Sequence, residues 1–233
     1  DNTTAFSSSN LALEVNNHVA TLWLDRPDKL NAISFEMWGD FIRAMEAVSA
    51  NDEIRAVVIA GRGKSFCVGI DLASLGSAPD LSTACDIRLA SEDALFGVRE
   101  TKIGIVADVG TLQRLPGVVS AGQVAELAYT GKDISAARAE KIGLVNDVYA
   151  DADAVYAAAL EMAGEIAANA PLAVRGTKFV LQQGENMTTE QSLLLNGLWT
   201  MMTSLNSEIG DRPLFSVFSA HPTLSRSERT YTH

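Results

Sequence analysis

Two short runs of apolar and β-branched residues, 18–24 and 56–60, bracket a stretch whose apolar positions recur with helical spacing. The pattern predicts a strand, a helix over residues 34–50 and a second strand. Within the helix, Trp38, Phe41, Ile42 and Met45 fall at i, i+3, i+4 and i+7 and are expected to form the buried stripe, with Asp40, Arg43 and Glu46 facing water and Ser34 as N-cap. Further strands are expected over 87–90 and 144–149, and further helices over 123–129, 135–142 and 152–168. From Pro171 to about Leu205 the pattern is helical and rich in Leu, Trp and Met, as in helices that pack on another subunit. Residues 210–233 carry no periodicity and read as an extended tail. The alternation of strands and helices places the chain in the α/β class.

Composition narrows the possibilities. The chain has 233 residues, 47% of them hydrophobic, enough for a substantial core. No apolar run reaches the length of a membrane span, and the first ten residues lack the basic flank and apolar stretch of a signal peptide, so a soluble protein of the cytoplasm is the default expectation. Two cysteines and three scattered histidines offer neither a disulfide framework nor a clustered metal site. A net charge of −11 argues against a nucleic-acid or anionic-membrane surface. It leaves room for an anionic ligand held locally by a few cations and backbone N–H groups.

Gly61-Arg62-Gly63-Lys64-Ser65 is superficially a phosphate loop, but Val58 stands where the first glycine would be needed, and a strand-ending turn is the better account. Phe66-Cys67-Val68-Gly69-Ile70-Asp71-Leu72 follows directly. Its glycine could make a simple turn or could expose N–H groups to an oxyanion. Glu100 and Asp108 flank an apolar run, and burial there would raise the pKa of Asp108 and make it a proton carrier. The alternative for Asp108 is an N-cap on a helix over 109–115; for Asp80, a cap on one over 81–85. Asp86 and Arg88 read as a local charge pair. His18, His221 and His233 share no motif.

Arg26-Pro27-Asp28-Lys29-Leu30-Asn31-Ala32-Ile33 resembles the segment lining the coenzyme A site in the crotonase (enoyl-CoA hydratase/isomerase) superfamily. Residues 66–72 resemble its first oxyanion loop, and the stretch from Asp80 to Arg88 resembles the helix after its second oxyanion glycine. Ala107-Asp108-Val109-Gly110-Thr111-Leu112-Gln113-Arg114-Leu115-Pro116 is similar to the dienoyl-CoA isomerase branch, which carries an acid where hydratases have a small residue. The resemblance spans about residues 10–205.

It implies a crotonase-like ββα spiral core over 1–170, a helical trimerisation region over 171–209 and the tail 210–233. It also implies an acyl-CoA thioester substrate, with Lys29, Ala32, Val68, Gly69, Ile70, Asp71 and Leu72 in the binding segments and the Ile70 N–H in the oxyanion hole. Asp108 would exchange the proton beside the thioester, Glu100 the distal one, and Asp80 would orient. No cofactor beyond the coenzyme A of the substrate is implied, and the assembly would be a homotrimer or a hexamer of paired trimers. Two rivals stand beside the isomerase: a hydratase, in which Asp80 and Glu100 position water, and a non-catalytic acyl-CoA-binding protein of the same fold. One departure is large. Between Leu72 and Asp80 the superfamily has several dozen residues, including the second oxyanion donor, so a segment is expected to belong between Pro79 and Asp80, which would then not be peptide-bonded neighbours.

Overall fold

The computed structural model describes residues 3–69, 81–107 and 110–205. The first sheet joins four strands in chain order: β1 (Thr3–Ser7), β2 (Leu11–Asn16), β3 (Val19–Leu24) and β4 (Ala56–Gly61). β1, β2 and β3 pair antiparallel, while β3 and β4 run parallel with Val19 opposite Ala56 and Leu24 opposite Gly61. A parallel pair needs a crossover, and helix α1 (Phe35–Ala50) supplies it. Ser34 caps α1 as expected, its Oγ accepting from the Met37 N–H at 3.2 Å.

Side chains alternate across β3 and β4, so both faces bury apolar residues. Ala20, Leu22, Leu24, Val57 and Ile59 pack toward α1 with Met37, Phe41, Ala44 and Val48. Val19, Ala56 and Val58 pack on the other face against Ala163 and Ala167 of a later helix, α5 (Ala152–Ala168). Each fully buried leucine in such a layer contributes about 2 kcal/mol.

The buried stripe of α1 differs from the expected one. Its face is Met37, Asp40, Phe41, Ala44 and Val48, while Ile42 is 49% exposed. The cause is Asp40, only 2% exposed rather than facing water. Asn10 Nδ2 donates to Asp40 Oδ2 at 2.7 Å, and the Arg43 guanidinium also donates to the carboxylate. Burial pushes the Asp40 carboxyl up, but hydrogen bonds from Asn10 and Ser8 together with Arg43 outweigh it and hold the group below its ordinary value. A carboxylate satisfied in this way can sit on the inner face, turning the helix by about one residue's angle from the purely apolar solution.

The second half is built from small pairs. β5 (Leu89–Ser91) runs parallel to β8 (Asp147–Tyr149), and β6 (Leu95–Phe96) antiparallel to β7 (Ile134–Ser135). Around them lie α2 (Thr111–Arg114), α3 (Ala121–Thr130) and α4 (Ala136–Lys141). Ala90, Val98, Leu115, Val119, Leu127, Ala136, Ala139 and Leu144 form their core. The helical pattern after Pro171 is two helices, α6 (Pro171–Gly184) and α7 (Thr189–Leu205), packed on each other. Lys178 of α6 pairs with Asp86 at 2.7 Å, so Asp86 is held by a residue far along the chain rather than by Arg88. Arg88 instead donates to the carbonyls of Cys85 and Leu144, each at 2.6 Å. The tail 210–233 lies outside the described residues.

Candidate active site

Two loops meet at the C-terminal ends of β3 and β4. The first, after β3, makes a 3-10 turn at Pro27–Lys29 and then places Leu30 and Asn31 in the left-handed region, at φ 50° and 56°. Asparagine tolerates that conformation. The side chain of Asn31, 0% exposed, explains why it is there. Its Oδ1 accepts from the Arg26 N–H at 2.8 Å, and its Nδ2 donates to the carbonyls of Arg62 and Ser65 at 2.9 and 2.7 Å. Asn31 thus locks the first loop to the second. Gly63, at φ 81°, permits the close approach: a Cβ there would lie 2.8 Å from Cβ of Pro27.

Of the residues assigned to coenzyme A binding, Lys29 is exposed and ends the 3-10 turn, and Ala32 is buried, its carbonyl accepting from Arg26 Nη1 at 2.6 Å. Val68 is exposed. Gly69 sits at φ 101°, and its carbonyl accepts from the Ile33 N–H at 2.8 Å. The Ile33 N–H to Gly69 O bond joins the two segments that carry these four residues. Ile70, Asp71, Leu72 and Asp80 lie outside the described residues, as does the junction of Pro79 with Asp80, and so does Asp108.

Glu100 opens a 3-10 turn, Glu100–Ile103, that Gly104 closes in the left-handed conformation at φ 76°. Its Oε2 is buried and, among the described residues, has no hydrogen-bond partner. A buried carboxylate oxygen left unpaired is costly in a folded protein and calls for an explanation. Glu100 makes no side-chain hydrogen bond or ion pair to the two loops among the described residues.

The flanks of the two remaining acids converge. Leu81 and Thr83, just after Asp80, are buried, and Thr83 Oγ1 accepts from Arg114 Nε at 3.1 Å. Arg114 belongs to α2, which begins three residues after Asp108. The N-cap of α2 is Gly110 and that of the 3-10 turn Ser82–Ala84 is Leu81, while the capping alternatives for Asp108 and Asp80 fall outside the described residues. The apolar run between Glu100 and Asp108 is not a buried one. Ile103, Ile105 and Val106 are exposed and only Ala107 is buried, because the Gly104 turn swings the run outward.

A model of the family described as Enoyl-CoA hydratase/isomerase matches residues 14–83 and 73–205 of this chain, in two overlapping pieces. The chain belongs to the enoyl-CoA hydratase/isomerase family. It is an enzyme of that family, of the crotonase superfamily, and falls with its dienoyl-CoA isomerase branch. It is 34% identical to a mitochondrial Delta(3,5)-Delta(2,4)-dienoyl-CoA isomerase of Dictyostelium discoideum, over 78% of this chain and 80% of that protein. It is 29% identical to a peroxisomal isomerase of the same name from Arabidopsis thaliana, over 88% of this chain and 92% of that protein. The crystal structure of an enoyl-CoA hydratase/isomerase from Mycobacterium paratuberculosis superposes with a TM-score of 0.79 at 29% identity, covering 87% of this chain and 92% of that one. The crotonase-like α/β fold expected from the sequence is the fold observed. The Dictyostelium alignment runs over 234 positions but takes in 78% of this chain's 233 residues, about 182, leaving about 50 positions with no residue of this chain opposite them.

Sequence reasoning missed the Asn31 clamp and the Arg114–Thr83 tie as devices of this site. An asparagine directly after Pro27-Asp28-Lys29-Leu30 turn chemistry was the available signal for the first. The second joins residues 31 positions apart and leaves no local mark.

Proposed function

We propose that this family member is an isomerase that converts a 3,5-dienoyl-CoA to the 2,4-dienoyl-CoA. The observation that carries the reading is the 34% identity to a Delta(3,5)-Delta(2,4)-dienoyl-CoA isomerase; the buried Oε2 of Glu100, unpartnered among the described residues, on a turn near the exposed apolar side chains of Ile103, Ile105 and Val106, supports a proton-carrying role there. A carboxylate held without a protein partner is free to exchange a proton with bound substrate, and the apolar surface beside it suits an acyl chain. Removing the proton next to the thioester carbonyl gives a dienolate, whose negative oxygen would be held by the Ile70 N–H. Returning a proton at the far end shifts both double bonds into conjugation with the carbonyl. One base does not reach both ends, so Asp108 is assigned to the carbon beside the thioester, Glu100 to the distal carbon and Asp80 to orientation. Lys29, Ala32, Val68, Gly69, Asp71 and Leu72 are assigned to the coenzyme A thioester. The reaction is proton transfer, and we assign it no cofactor other than the substrate's own carrier.

The same reading makes α6 and α7 the contact between copies in a homotrimer, or a hexamer of two trimers. Leu193, Leu194, Leu198, Met201 and Met202 of α7 are all exposed, which supports a covered apolar face in the assembly. The cytoplasm is our assignment of compartment from composition alone; the relatives named above are a mitochondrial and a peroxisomal protein.

A second reading is favoured by the roughly 50 alignment positions without a counterpart and the family match split at residues 73–83. Both support a segment missing between Pro79 and Asp80. Without it the second oxyanion donor is lost, and the chain would bind acyl-CoA while turning it over slowly. Incubating the protein with 3,5-dienoyl-CoA and following conjugation by ultraviolet absorbance tests the two: conversion supports the isomerase, and binding without conversion or proton exchange supports the second reading.

A further inference from the structure

We propose that Asp133 is a positioning residue for Glu100, acting through Arg99; this rests on Glu100 being the distal proton carrier. Glu100 stands between two residues that are each anchored to α3 or the loop after it. On one side, Arg99 Nε donates to Asp133 Oδ1 at 2.6 Å. On the other, Thr101 Oγ1 donates to the Ala128 carbonyl at 3.0 Å. Glycines make room for both anchors. A Cβ on Gly97 would lie 2.6 Å from Asp133 Oδ1, and one on Gly131, at φ 58°, would lie 3.0 Å from Cγ of Lys102 and 3.2 Å from Thr101 Oγ1. The loop at 131–133 is thereby closed onto the backbone on either side of Glu100.

The hydrogen bond from Arg99, assisted by the charge of Lys102, holds the Asp133 carboxyl below the usual carboxylate range, so the anchor is charged at neutral pH. An ion pair as open as this one, with side chains 52% and 35% exposed, adds little to folding stability. Its effect falls on position. Glu100 opens a turn of only four residues and its buried Oε2 has no hydrogen-bond partner among the described residues, so the direction of the side chain depends on where residues 99 and 101 are held. A displacement of about 1 Å in a catalytic group costs on the order of a hundredfold in rate, and loss of one of two anchors is expected to cost about tenfold.

The test is steady-state isomerisation of 3,5-dienoyl-CoA by the full chain, with kcat and KM separated and the folded fraction followed by circular dichroism. Asp133→Ala is expected to lower kcat about tenfold or more with KM within about twofold. Gly97→Ala, which drives a methyl group into Asp133 Oδ1, is expected to do the same. The double variant Arg99→Asp with Asp133→Arg restores the pair and is expected to recover most of the rate. Should the alanine chain fail to fold, Asp133→Asn, which keeps shape and an acceptor, is expected to give an intermediate loss. A kcat within twofold of the parent in Asp133→Ala, or a loss that only tracks the unfolded fraction, overturns the proposal. Glu100→Gln run alongside separates the failures: if it is inactive while Asp133→Ala is normal, positioning alone is wrong. If Glu100→Gln retains full turnover, the functional reading fails and takes this one with it.

Discussion

Arg114 Nε donates to Thr83 Oγ1 across 3.1 Å, and this bond ties the residues that follow Asp108 to those that follow Asp80. Thr83 is buried, and the 3-10 turn Ser82–Ala84 that carries it packs on α2. The two acids are assigned to one substrate, so a link between the segments that follow them is expected to matter for turnover.

Thr83→Val keeps the shape and removes the acceptor. It is expected to cost about 1 kcal/mol in urea-induced unfolding and to lower turnover more than that loss of stability explains. Unchanged turnover per folded molecule would show that the link does not set the geometry of the site.

Asn31→Ala should be more damaging. It removes three hydrogen bonds, from the Arg26 N–H and to the carbonyls of Arg62 and Ser65, and puts alanine at a φ of 56°. A loss of about 3 kcal/mol is expected in denaturant unfolding, with weaker acyl-CoA binding because the two loops come apart. A stability loss with unaltered binding would separate the clamp from the ligand surface.

Much of this was legible from local pattern. The β3, α1, β4 opening, the Ser34 cap and the full extent of α5 follow from apolar runs, helical spacing and capping chemistry within a few residues of one another. What escaped depends on distant partners. Asp40 reads as a solvent-facing residue until Asn10, thirty residues earlier, is known to satisfy it, and the error turns the whole α1 face. Asp86 was paired with Arg88 because they are neighbours in sequence, whereas Lys178 reaches it from α6. β1 and β2 went unread because short mixed strands gain their stability from pairing, β1 with β2 and β2 with β3, rather than from their own residues. Glu100 stands out in the sequence as a carboxylate opening an apolar run, whereas its Oε2, buried and without a partner among the described residues, leaves no mark there.

Asp40 also gives a signed pH dependence. Its folded carboxyl lies below the ordinary value of 3.8, so the unfolded chain binds the proton more readily. The stabilisation is therefore complete above about pH 4 to 5 and is lost as pH falls through the folded value, below 3.8. Asp40→Asn is expected to be less stable than the parent at neutral pH, with the gap closing in acid. A gap that stays constant from pH 6 to strongly acid conditions, in thermal melts, would show that the charge contributes nothing.

Leu194 projects from α7 into solvent in the isolated chain. Leu194→Glu is expected to shift the mass measured by light scattering from a trimer or hexamer to a monomer, since a buried unpaired carboxylate at an interface opposes association. A parent protein that is already monomeric at micromolar concentration would contradict the assembly assigned to α6 and α7.

The central claim is that carboxylates move protons at both ends of the diene, and Asp108→Asn addresses it most directly. The amide keeps the size of the side chain and removes the base, so conversion of 3,5-dienoyl-CoA to the 2,4-isomer, followed by ultraviolet absorbance, is expected to fall by on the order of a hundredfold or more while the melting temperature changes little. Near-normal isomerisation by the Asp108→Asn protein would contradict the account.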